Sequence, residues 1–183
     1  MKVTLSHVPH ISNKIAIDLN KSGLVMMTSG LEAVAKEAEK LLITSVKQEA
    51  ALEERVYEIV DANEEQIDFY LADERQLFWM IKKKLADEYG VILSYEERFS
   101  DLAHKILDAL YEEDLINYDV SENRIKNIIY DAMTSFVADN SEIEQSVIDK
   151  MKSYQRQLIP GTDEYEILYE KLYQEELQKK GMA

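Results

Sequence analysis

A chain of 183 residues, 46% hydrophobic and 31% charged, is long enough to bury a continuous core, and its five glycines and two prolines leave long uninterrupted stretches. That composition excludes collagen and a chain that stays unfolded; with no cysteine, it also excludes a disulfide scaffold and a sulfur-ligated zinc site. The balance of 21 Lys and Arg against 36 Asp and Glu, a net charge of −15, disfavours nucleic acid as a partner, because a phosphate polymer is repelled by most of such a surface.

Apolar residues recur at threes and fours, and the breaks in that period define the elements. After an extended start at Lys2 to Leu5, residues Ile11, Ile15 and Leu19 share one face of a helix over about Val8 to Asn20, closed by Lys-Ser-Gly at 21–23. Leu24 to Met27 is a short apolar bridge. Ser29 is placed to cap a long helix whose stripe runs through Leu31, Val34, Ala38, Leu41, Leu42, Leu52, Val56, Ile59 and Ile67. That helix either continues to about Phe69 or bends at Ala62 and Asn63. Asp73 starts a further helix that ends at Gly90.

The second half repeats this order. It has an extended Val91 to Ser94, a helix over about Glu97 to Glu112, a bridge at Leu115 to Tyr118 and a long helix capped by Ser121. The long stripe passes through Ile125, Ile129, Phe136, Ile143, Val147, Met151 and Leu158, with an interruption considered at Asp139 to Ser141, until Pro160 and Gly161 stop it. Thr162 to Lys180 is the last helix, with Thr162 or Asp163 as its cap.

Shifting the chain by 91 residues aligns 11–91 with 102–182 without a gap. Ten identities result, among them Ile15 with Ile106, Leu19 with Leu110 and Val56 with Val147, and apolar positions such as Val34 and Ile125 coincide. The expectation is an all-α bundle of two similar three-helix halves, 1–90 and 91–183, packed as one globular unit around a pseudo-twofold axis. The VxLS segments match at 3–6 and 91–94, and the stretches 2–5 and 91–94 are the candidate strand pair across that axis.

Four groups suit a metal: His7, His10, Asp101 and His104, since the 91-residue shift sets His10 opposite Asp101 and imidazole with carboxylate binds zinc or iron. They form no recognised ligand motif, and solvated or capping histidines are the expected reading. The acidic pairs Glu53-Glu54, Glu64-Glu65 and Glu96-Glu97 read as solvated faces, because adjacent helical positions point in different directions. The patterns GxxxxGK[ST], GxGxxG and GxSxG do not occur, so no cofactor is assigned and catalysis has no positive support.

The stretch QLFWMIKKKL at 76–85 is sharper. Leu77, Phe78, Ile81 and Leu85 make one helical face, and Trp79 lies about 150° away at roughly 100° per residue. The positions 91 residues on from Trp79 and Met80 are Glu170 and Lys171, so a shared core does not require apolar groups there. What covers them is either the junction between the halves, expected first, or a partner protein anchored on Phe78, Trp79 and Met80 within a polar rim of Lys82, Lys83 and Lys84. Stacking on single-stranded nucleic acid ranks last because of the net charge. Tyr165, Tyr169 and Tyr173 form a stripe read as a core edge with hydroxyls reaching water.

The stretches LSHVPHISNKIA at 5–16, ALEERV at 51–56, RQLFWMIKKKLA at 75–86, YEERFSDLAHKILDALYEEDLINYDVSENRIKN at 95–127 and LIPGTDEYEILYEKLYQEELQKKG at 158–181 span nearly the whole chain. Through them the chain resembles a bacterial domain-of-unknown-function family, number five hundred and seven in that series. The resemblance implies a bacterial cytoplasmic setting and carries no activity, cofactor or partner onto any residue. Apolar runs too short to span a bilayer, and an opening MKVTLSHVPH without the features of a signal peptide, agree with a cytoplasmic expectation and no membrane partner. The reading is a protein-binding or scaffolding module, with an unknown protein or a second copy as partner. Its alternative is a metal-dependent enzyme with a His/Asp site between the halves.

Overall fold

The computed structural model describes residues 3–63, 73–154 and 159–180. Among them are six helices and one strand pair: α1 (Val8–Ser22), β1 (Met26–Met27), α2 (Gly30–Asp61), α3 (Glu74–Leu85), α4 (Tyr95–Glu112), β2 (Ile116–Asn117), α5 (Glu122–Lys152) and α6 (Asp163–Lys179). The fold is all-α, as the periodicity requires. Among the described residues no helix is long and apolar enough to cross a membrane.

Local chemistry sets the helix ends. Gly23 closes α1 in the left-handed conformation at φ 65°, which a residue with a Cβ adopts only with strain. Asp73 caps α3 by accepting from the amides of Arg75 and Gln76, Ser94 caps α4 by accepting from Glu97, and Thr162 caps α6 by accepting from Tyr165. Ser29 and Ser121 stand at the expected N-cap positions of α2 and α5 without bonding through their side chains. Of the two endings considered for the first long helix, the turn at Ala62 and Asn63 is the one formed; Phe69 lies outside the described residues. The helix itself is unbroken at 139–141, and α5 runs on through Asn140.

The strand pair is not where it was expected. Val3 to Leu5, Val91 and Ile92 form no ladder, and the two apolar bridges pair instead, antiparallel, Met26 with Asn117 and Met27 with Ile116. Both VxLS segments lead directly into helices: Thr4 and Leu5 accept from the amides of His7 and Val8, and Ser94 is itself a cap. Their backbone groups are committed before a strand can form.

Packing follows a repeated scheme. α1 lies against α2 and α5, α4 lies against α5 and α2, α3 covers the end of α2 and α6 covers the end of α5. The central core holds Ile11, Ile15, Leu19, Val34, Ile106, Leu110, Ile125 and Phe136, so the first halves of both long helices share it. Their second halves bury separate clusters, Leu52, Val56 and Val60 with Ile81 under α3, and Ile143, Val147 and Met151 with Leu172 under α6. Thus each long helix is covered first by both short helices and then by the medium helix that follows it.

Candidate functional site

On α3 the side chains divide by face. Phe78, Ile81 and Leu85 pack toward Leu52, Val56 and Val60, while Trp79 is 59% and Met80 68% exposed. Burial of Trp79 in a junction between halves, the first expectation, therefore does not occur. Phe78 sits half-buried with its ring 4.9 Å from that of Tyr57 and 6.4 Å, edge-on, from that of Trp79. Lys83 and Lys84 are exposed as the polar rim requires, but Lys82 is not. It turns inward, 5% exposed, donates to Glu53 at 2.7 Å, approaches Glu49 at 3.6 Å and lies 5.3 Å from the Trp79 ring centre.

Glu49 is the centre of a buried charged cluster that motif reading missed. Arg98 grips its carboxylate with both terminal nitrogens, at 2.6 and 3.1 Å, and donates its Nε–H to the carbonyl of Ile92 at 2.8 Å. The Tyr95 ring stacks 4.9 Å from the guanidinium. A bidentate pair with a further donor satisfied by a carbonyl is the arrangement in which burying two charges is tolerated. Through it α4, α2 and α3 are tied together. The signal was available: Glu49 falls between Leu42 and Val56 at seven-residue steps, a charge on the apolar stripe.

Ninety-one residues on, Asn140 interrupts the stripe of α5 between Met133 and Val147 in the same manner. It is fully buried and accepts the Tyr173 hydroxyl at its Oδ1, while its amide donates to Glu144 at 3.1 Å. The tyrosine stripe is a core edge, with Tyr165, Tyr169 and Tyr173 stacked at 6.4 and 6.1 Å, yet the innermost hydroxyl goes to Asn140 rather than to water. Burial, followed by the negative charge of Glu144, pushes the Tyr173 hydroxyl up to about 12.

The four proposed metal groups do not converge. His7 is buried and accepts from the Thr4 amide at Nδ1, 3.1 Å, with Phe136 6.0 Å away; burial and then the neighbouring His10 lower its pKa. His10 stacks on Phe136 at 6.4 Å. Asp101 pairs with Lys105 at 2.8 Å, and exposed His104 lies 3.8 Å from Asp108. His10 lines a cleft of about 680 Å³ with Lys14 and Phe136, whereas Asp101 lines another of about 220 Å³ with Gln48 and Arg98. α1 and α4 each pack against both long helices, and His10 and Asp101 line separate clefts between them. Among the described residues no three His, Cys, Asp or Glu side chains are grouped to hold a metal ion.

The chain matches, over residues 1–182, the family described as "Protein of unknown function (DUF507)". No curated protein matches it.

Proposed function

We propose that this chain, which belongs to the DUF507 family of proteins of unknown function, is a protein-binding module whose contact surface is the outward face of α3. One observation carries this reading: Trp79 and Met80 stand side by side in solvent on a helix whose other face is firmly held. The inward face packs Phe78, Ile81 and Leu85 on α2, and the Lys82 ion pairs with Glu53 and Glu49 fix its rotation about its own axis. A rigid aromatic offers large apolar area at low ordering cost and a flexible thioether adapts to the surface it meets, the composition of an interface anchor. Lys83 and Lys84 supply the polar rim, and Lys82 belongs to the support beneath it.

The test is a photo-crosslinking residue at position 80 in the full chain, irradiated in host cells. An adduct of one defined mass is expected, lost when Trp79→Ala is added while helicity and melting temperature hold. No adduct at that position, or one that survives Trp79→Ala, overturns the reading.

A further inference from the structure

The exposed face of α3 has a counterpart of opposite charge on the same chain. Two neighbouring rows at four-residue steps make up the α3 face, Arg75–Trp79–Lys83 and Gln76–Met80–Lys84. All six residues are exposed, and their charge is wholly positive on a chain whose net charge is −15. Shifting by 91 residues leads to the corresponding rows of α6, Glu166–Glu170–Gln174 and Ile167–Lys171–Glu175. Three carboxylates against one lysine make this face acidic, and Ile167, 71% exposed, gives it an apolar point. Arg75 corresponds to Glu166 and Lys84 to Glu175.

Among the described residues, no lysine or arginine of the fold bonds Glu166, Glu170 or Glu175. The lysines that anchor this end, Lys150 and Lys179, bond Glu176, and Glu170 accepts from the Gln174 amide in its own helix. Two helix faces of similar length, one basic with Trp79 and Met80, the other acidic with Ile167, complement each other in charge and in apolar content.

We infer that the partner of the α3 face is the α6 face of a second copy of this chain. The inference rests on the protein-binding reading of α3 and names its occupant. The contact is heterologous, so a reciprocal pair closes a dimer and a one-way series extends.

Sedimentation equilibrium of the full chain across concentration, at low and at high salt, tests it. Expected is self-association that weakens at least tenfold in high salt, because the paired charges lie at the surface. Lys83→Glu/Lys84→Glu reverses one face and Glu166→Lys/Glu170→Lys the other. Each variant alone should be monomeric with an unchanged circular dichroism spectrum, and an equimolar mixture of the two should associate again. A wild-type chain that is monomeric throughout, or association that ignores both reversals, overturns the inference. The position-80 crosslink separates this failure from that of the broader reading: a Trp79-dependent adduct of another mass preserves protein binding and removes the second copy as partner.

Discussion

Glu49 and Asn140 stand 91 residues apart, at matching places on the two long helices, each buried where an apolar residue would keep the stripe unbroken. The surroundings differ in kind. Glu49 meets Lys82 and Arg98; the positions corresponding to those two are Tyr173, which bonds Asn140, and His7, which is buried beside Phe136. One place in the packing scheme therefore holds a charged triad at one end and neutral groups at the other. The lesson is that the same depth of packing accommodates charged or neutral polar groups provided they are satisfied, and the two clusters should respond differently when broken.

The largest effect belongs to the charged cluster. Glu49→Ala leaves the buried Arg98 guanidinium without its carboxylate and should cost about 3–5 kcal/mol in urea unfolding, whereas the triple replacement Glu49→Leu, Arg98→Leu, Lys82→Met should restore most of that loss. A triple variant as unstable as Glu49→Ala would show that packing, not charge, is at stake. Tyr173→Phe removes a neutral bond and should cost about 1–3 kcal/mol.

The neutral cluster also carries a pH signature. The folded chain keeps the Tyr173 proton beyond the ordinary pKa of 10, up to about 12, so its stabilisation is complete below pH 10 and lost as pH rises between those values. Tyr173→Phe should flatten that part of an alkaline stability profile. His7 gives a smaller change of opposite direction. Its pKa is lowered from 6.5, so its contribution is present above that pH and declines as pH falls below it, and His7→Leu should remove the decline.

The smallest effect is expected at the surface. Trp79→Glu, which installs the residue found at the corresponding α6 position, should change unfolding stability by no more than about 0.5 kcal/mol, because Trp79 is mostly in solvent. A larger loss would return Trp79 to a structural role and weaken the docking surface.

Much of the fold was readable because local rules govern it. The stripe Ile11–Ile15–Leu19 predicts α1, Asp73 and Thr162 cap helices as their side chains dictate, and Gly23 ends one as only a glycine readily does. The strand pair was misplaced because pairing is a long-range choice between segments of similar apolar content, and the VxLS backbones were already committed to helix starts. The alternative metal grouping fails to assemble for a related reason: a 91-residue correspondence says which positions are alike, not which ones touch. Lys82 shows the same limit, since three adjacent lysines look alike in sequence and only one points toward Glu53 and Glu49.

The sequence by itself determined the helices, most of their ends, the net charge of −15 and the two faces that set Trp79 apart from Phe78, because period, capping and charge are properties of neighbouring residues. Only the tertiary structure decided that Trp79 and Met80 stay in water, that Lys82 leaves them for a buried carboxylate, and that His10 and Asp101 line different clefts. Those outcomes depend on which helix covers which, and coverage is settled by the packing of whole apolar faces rather than by any one residue's preference.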